Sequence, residues 1–362
     1  MKTPALSALA GLRGRCFDSP WSALATVLIL AALLWLGQRV AGWAVIDAVW
    51  VADAARCEAA TGACWGVIAE KHRAILFGRY PFDAQWRPLL ATAILLVAIV
   101  ATLRAAGSRP RPDGNRRWRR VALAWVVTIA LFPVLMGGGV AGLAPVPTEL
   151  WGGLPLTLML AVGGIATAFP LAIVLALGRS GPLPAMRAVS SVYVELIRSV
   201  PLVPALFLAS FLVPLLLPAD WQVDVLFRVQ VAITLFAAAY LAEAIRGALL
   251  ALPDGQRQAA AALGLGWWQT QRHILLPQAL RNATPSIANS FINLFKDTSL
   301  VVVVSLYELT GALEIALAGD AEWRSYQLEG YVFIGAIYWT GCFALSRASR
   351  RLEQRDAARA GR

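Results

Sequence analysis

Lys296 and Asp297 are adjacent charges with apolar sequence on both sides, which makes them the first candidates for chemistry. Consecutive residues do not face each other on a helix, so they make a poor mutual pair. Charges in such surroundings are costly and usually face a cavity or the interior of a helix bundle. Two readings stay open. The pair lines a polar path, offering an acceptor to an ammonium and a donor to a carboxylate, or Asp297 or Thr298 caps a new helical segment at a break. Glu195 and Arg198 are three residues apart, as are Glu243 and Arg246. That spacing makes helix neighbours, so each couple reads as an intrahelical pair near a span end, with Glu195 and Arg198 also candidates for the path.

A second constellation is built for contact. Pro253-Asp254-Gly255 is a turn. Gln256 to Leu263 is alanine-rich and helical, Gly264 to Trp268 interrupts it, and Gln269 to Leu276 resumes a helix that Pro277 should stop. Ala259, Leu263 and Trp267 recur at i, i+4 spacing, and small neighbours let a partner surface approach. This is the pattern of a helix that docks in a groove. A plain amphipathic interface helix is the blander alternative.

Other chemistry is poorly represented. No Gly-Lys dipeptide occurs, so the phosphate-binding pattern G-x-x-x-x-G-K-[ST] is absent. His72 and His273 have no companions at metal-ligand spacing, and no metal site is assigned. Cys57 and Cys64 are seven residues apart in one polar loop; an oxidising compartment would permit a disulfide there, and two free thiols are the alternative.

The elements that position these residues are membrane helices. Of 362 residues, 59% are hydrophobic and 15% charged, against about 25% charged in soluble domains. Residues 88–103, 121–148, 150–178 and 199–219 carry no charge. Crossing a bilayer takes about 20 apolar residues, and in lipid such runs become helices rather than strands. The chain reads as an all-α, polytopic membrane protein with eight spans near 21–38, 88–106, 121–143, 155–177, 199–217, 229–250, 286–308 and 329–346. The first run is long enough to span and lacks obvious Ala-x-Ala cleavage geometry, so it reads as a membrane helix rather than a signal peptide.

Charge sets the orientation. Segments 1–20, 104–120, 178–192, 246–287 and 346–362 hold 22 Lys and Arg, while 38–88, 143–155, 217–229 and 305–328 hold 8. The positive-inside rule places the first set, and both termini, in the cytoplasm. The net charge of +11 thus follows span ends and gives no reason to expect a nucleic-acid partner. The organisation is an N-terminal block, 1–143, with three spans and a large outside loop; a five-span block, 144–346, with a cytoplasmic loop at 251–285; and a basic tail, 347–362. The link Ser108 to Arg117 is rich in Pro, Gly and Arg and reads as a turn.

The 251–285 loop resembles the coupling loop of ATP-binding-cassette importer permeases, whose pattern is E-A-A, three residues, Gly, nine residues, Ile-x-Leu-Pro. Ala259, Ala260, Gly264, Ile274, Leu276 and Pro277 fall in register, and Gln258 stands where the pattern has Glu. Three further segments resemble the polar amino-acid branch of that family: Trp151 to Leu158; Tyr193-Val194-Glu195-Leu196-Ile197-Arg198-Ser199-Val200-Pro201-Leu202; and Lys296-Asp297-Thr298-Ser299-Leu300. Phe77-Gly78-Arg79-Tyr80-Pro81 and the N-terminal block resemble permeases of broad-range L-amino-acid importers.

The resemblance implies a five-helix permease core in a bacterial inner membrane, moving polar L-amino acids inward, with Gln258, Ala259, Ala260, Leu263, Gly264, Ile274 and Pro277 contacting the ATPase. It implies two ATPase subunits that use ATP and Mg, a second, related permease, and a periplasmic amino-acid-binding protein. No cofactor is expected on this chain, and an ion-coupled secondary transporter is the competing reading. The charge split makes a direct prediction. Reporter fusions after Arg362 and within 108–117 should report cytoplasm, and fusions within 56–75 the outside; a periplasmic signal at 108–117 would overturn the eight-span arrangement.

Overall fold

The computed structural model describes residues 16–107, 114–218 and 220–360. Most of the Pro/Gly/Arg-rich link, the first 15 residues and the end of the basic tail lie outside the described residues. Among the described residues the chain is helical, with two isolated bridges, Val49–Cys64 and Gly153–Glu308, and no strand. Two compact units divide the chain, Met1–Glu70 and Lys71–Arg362.

In the first unit, α1 (Pro20–Ala41) is capped by Ser19, whose side chain accepts from the Ser22 amide, and it ends in a π turn, Gly42–Ile46. Every residue of α1 is at least partly exposed, as a helix surrounded by lipid can be. After it come α2 (Ala54–Ala59) and the start of α3 (Gly66–Phe77). Cys57 and Cys64 are joined by a disulfide with a Cα–Cα distance of 5.4 Å, within the usual window. The Trp65 ring packs between Trp43 and Trp50, at 6.2 and 6.0 Å, and its Nε1 donates to the Ala44 carbonyl.

In the second unit, α4 (Trp86–Gly107) and α5 (Gly114–Gly137) form an antiparallel pair. Gly-rich sequence ends α5 at Gly137, short of the expected 143. Its last carbonyls are taken by side chains of the Phe77-to-Pro81 region and the start of α4. Tyr80 Oη donates to Met136 O (2.9 Å) and Arg87 Nε to Leu135 O (2.7 Å). Lys71 Nζ lies 2.6 Å from Asp320 Oδ2, and this partner holds the Asp320 carboxyl below the usual carboxylate range.

The core is α6 (Gly153–Ser180) packed along α9 (Val225–Leu250). Ala168, Ala172 and Ala176 on one and Ala237, Ala238 and Ala242 on the other are buried; small side chains let membrane helices approach closely. Between them in sequence, α7 (Pro184–Ser199) and α8 (Leu202–Leu216) meet at 107°. Pro201 causes the bend, because a residue before proline is pushed out of helical conformation; Val200 is extended, at ψ 128°. The fifth span is therefore the short α8, widened by a π turn at Leu208–Leu212.

The 251–285 loop forms α10 (Gly255–Ala262) and α11 over 267–282. Then come α12 (Thr284–Asp297), a 3-10 stretch at Thr298–Val304, α13 (Leu309–Ala318) and α14 (Gln327–Ala360). The seventh span ends at Val304 rather than 308, since Ser305 turns left-handed at φ 62°. Among the described residues, seven helices are long and apolar enough to cross a membrane, and eight when the bent α7–α8 pair counts as one span. The disulfide yields a test. With Cys16 and Cys342 replaced by Ala, denatured protein should take up a thiol label only after reduction. Full labelling without reductant would show that the bond does not form.

Candidate functional site

A cavity of about 300 Å³ opens between α8, α9 and α12. Its walls include Leu202, Phe236, Tyr240, Ser290, Asn293 and Asp297. The local reason is the two-faced character of α12. Ile287, Leu294 and Phe295 are buried against the core, while Ser286, Asn289, Asn293 and Lys296 form an exposed stripe at helical spacing. A polar stripe on a membrane helix faces a partner or a water-filled space rather than lipid. Of the two adjacent charges, Asp297 lines the cavity and Lys296 lies on the stripe. A helix break does occur here, but neither Asp297 nor Thr298 caps it. The 3-10 stretch has no side-chain cap, and Thr298 Oγ1 donates backwards to Phe295 O at 2.7 Å.

Beside the cavity lies a cluster of five charges. Arg179, on the last turn of α6, donates to Glu243 Oε2 (2.6 Å) and Glu195 Oε1 (3.1 Å). Arg246 pairs with Glu243 at 2.5 Å, the expected intrahelical pair. Glu195 and Arg198 do not pair with each other. Glu195 goes to Arg179, and Arg198 lies 3.8 Å from Glu243 and stacks over Tyr240, 5.5 Å from its centroid. The bend at Pro201 explains the difference: it lays α7 across the ends of α6 and α9, where cross-helix partners are nearer. Arg179 was not singled out in the sequence; its one signal is that it closes an uncharged run of 29 residues, 150–178.

The loop at 251–285 has a distinct geometry. At the end of α10, the Leu265 amide donates to Ala260 O and the Gly264 amide to Ala261 O, both at 3.0 Å. These two bonds define a Schellman cap, with its left-handed residue, Gly264, at φ 72°. No atom lies within 4 Å of the position a Gly264 Cβ would take. Gln258 and Ala259 are exposed, Ala260 is buried, and Leu263 protrudes with 79% of its surface exposed. Gln256 and Gln278 exchange hydrogen bonds at 2.9 and 2.7 Å, tying α10 to α11. Ile274 is half-buried and packs against the core. Pro277 does not stop the helix. A π turn at Gln271–Leu275 precedes it, and the helix resumes with Pro277 in the first turn of Leu276–Asn282, where a missing N–H costs nothing.

The fold and these sites define a membrane-embedded transport subunit, and comparison with known proteins agrees. Residues 168–356 match the family described as binding-protein-dependent transport system inner membrane component, and the chain belongs to that family. Membership places it in an inner membrane with ATPase and substrate-binding partners. It is 40% identical to the inner membrane amino-acid ABC transporter permease protein YhdY of Escherichia coli K12, over 96% of this chain and 93% of that one. It is 35% identical to the glutamate/glutamine/aspartate/asparagine transport system permease protein BztC of Rhodobacter capsulatus, over 97% and 94%. Among solved structures it resembles an amino acid ABC transporter crystallised with histidines, with 27% identity and a TM-score of 0.50 over 56% of this chain and 92% of that one. None of these relatives supports ion-coupled transport.

The cavity generates a prediction. Asp297→Asn and Lys296→Met should each lower uptake, by about tenfold for loss of a charge-assisted contact, with membrane insertion unchanged. Normal uptake in both variants would reduce these residues to bystanders.

Proposed function

We propose that this chain is the permease subunit of an ATP-binding-cassette importer that carries polar L-amino acids inward. Its partners are two ATPase subunits, which bind ATP and Mg, a second and related permease, and a periplasmic amino-acid-binding protein. Both termini are cytoplasmic in this reading, and nucleotide chemistry is left to the ATPase subunits. The observation that carries it is the loop: a capped cytoplasmic helix whose exposed end, Leu263 and Gly264, falls in the register of the importer coupling pattern. The relatives' printed cargo, amino acids, supports the substrate class.

The cavity suits that cargo. Asp297 can accept from an ammonium, Asn293 and Ser290 can donate to a carboxylate, and Phe236 offers an apolar wall. Beyond Tyr240 towards the cytoplasmic end of α9, the Arg179–Glu195–Arg198–Glu243–Arg246 cluster closes the way out. In the proposed cycle, ATP draws the two ATPase subunits together, the α10 end moves with them, and α9 and α11 transmit the shift to the cavity and the cluster.

Gly264→Asp tests this. Asp tolerates the left-handed conformation better than most residues, so α10 should survive while a new side chain fills the open space over Gly264. The variant should insert normally, yet fail to co-purify with the ATPase and fail to import labelled amino acid. Leu263→Ala should weaken assembly about tenfold, the scale of a buried apolar anchor, and Gln258→Glu should be tolerated. If Gly264→Asp and a deletion of the loop both assemble and transport normally, the coupling assignment is wrong.

A further inference from the structure

Glu308 is a carboxylate with no exposed surface, and nothing in the transport scheme above uses it. Its Oε1 accepts from the Thr310 amide (2.8 Å) and the Gly311 amide (3.2 Å), capping α13. Its Oε2 accepts from Tyr338 Oη at 2.6 Å and lies 3.2 Å from Thr157 Oγ1, which itself accepts from the Leu309 amide. One carboxylate thus joins α6, the start of α13 and α14. Capping alone does not explain the choice, since Ser, Asp or Asn caps a helix as well and burying a carboxylate is expensive. What Glu adds is reach, and the reach is spent on Tyr338.

Tyr338 leads back to the cavity. Its ring packs on Phe295, with centroids 5.3 Å apart. One turn along α14, a Cβ at Gly341 would lie 2.6 Å from the Phe295 ring, so only glycine lets the two helices come this close. Leu294, the residue before, wedges towards α6, 3.2 Å from where a Gly164 Cβ would stand. Successive helical residues point about 100° apart. With Leu294 and Phe295 both held, the direction of Asp297 into the cavity is fixed. We infer that Glu308 is a positioning residue for the amino-acid cavity, acting through Tyr338 and Phe295 on Asp297; this rests on the reading of that cavity as the cargo site.

The test measures amino-acid binding to the purified permease–ATPase complex without binding protein. A panel of tritiated protein L-amino acids is used, and the one the wild type binds most tightly is carried forward. Tyr338→Phe removes one hydroxyl and keeps the ring contact. It should weaken binding about fivefold, the scale of coupling through a packed chain, with an unchanged thermal unfolding midpoint. Glu308→Gln should keep binding within about twofold of wild type, because its amide can donate to Tyr338 and Thr157 while its oxygen keeps the cap. The deciding measurement is a double-mutant cycle: in an Asp297→Asn background, Tyr338→Phe should have almost no further effect. Undiminished binding in Tyr338→Phe, a full effect persisting beside Asp297→Asn, a fall in unfolding midpoint that tracks the loss of binding, or a loss of binding in Glu308→Gln as large as that in Tyr338→Phe would each overturn the inference. If Asp297→Asn itself binds like wild type, or the wild type binds no amino acid, the cavity reading fails and takes this one with it. An effect of Asp297→Asn without one of Tyr338→Phe sinks the positioning role alone.

Discussion

Hydrocarbon offers a peptide group no hydrogen-bond partner, so every departure from regular helix inside the membrane must be satisfied by the chain itself. This constraint explains where the costly polar side chains sit. At the frayed end of α5, Tyr80 and Arg87 take the Leu135 and Met136 carbonyls. At the π turn of α8, Arg228 donates to the Ser210 carbonyl. Where the 3-10 stretch turns into α13, Glu308 accepts the Thr310 and Gly311 amides. Each of these side chains would be hard to place in a regular bundle. Each becomes explicable once the backbone groups beside it are counted, since an unpaired buried amide or carbonyl costs about 1–3 kcal/mol.

Much of the architecture is legible in the sequence because it follows from hydropathy and charge alone. Long uncharged runs mark the spans, and the register from Gln258 to Pro277 marks the loop. What the sequence conceals are consequences of neighbours. Glu195 and Arg198 have ideal intrahelical spacing, yet Arg179 and Glu243 arrive from other helices and take them. Pro277 carries a strong stop signal, yet a π turn sets it at the start of a new segment. The fifth span reads as one run from 199, although Pro201 divides α7 from a short apolar helix set at 107° to it. The polar stripe of Ser286, Asn289, Asn293 and Lys296 is different. Its period of three to four residues lies within one span and depends on no neighbouring helix.

Gln258 bears on how the loop can dock. It is exposed at the position where the importer pattern has Glu, and no charge replaces it. An exposed ion pair contributes about 0–1 kcal/mol, so shape should matter more than charge at this contact. The Schellman cap supplies the shape: it ends α10 abruptly, leaves open space over Gly264 and turns Leu263 outward.

A transporter of this kind needs stiff parts and few hinges, and the side-chain volumes sort them. The buried alanines of α6 and α9 let the two helices pack closely along their length. On α9, Phe236 and Tyr240 face the cavity, Glu243 and Arg246 belong to the charge cluster, and Leu250 leads into α10. From Tyr240 to Leu250 is about 15 Å of unbroken helix at 1.5 Å per residue. In the proposed coupling, a push at the loop reaches the cavity wall and the cluster through the same rod. The opposite wall is different: α8 is widened by a π turn, and α12 gives way to a 3-10 stretch just past Asp297. The cavity lies between one wall that resists bending and two that have a built-in break, so a force delivered through α9 changes its shape rather than merely displacing it.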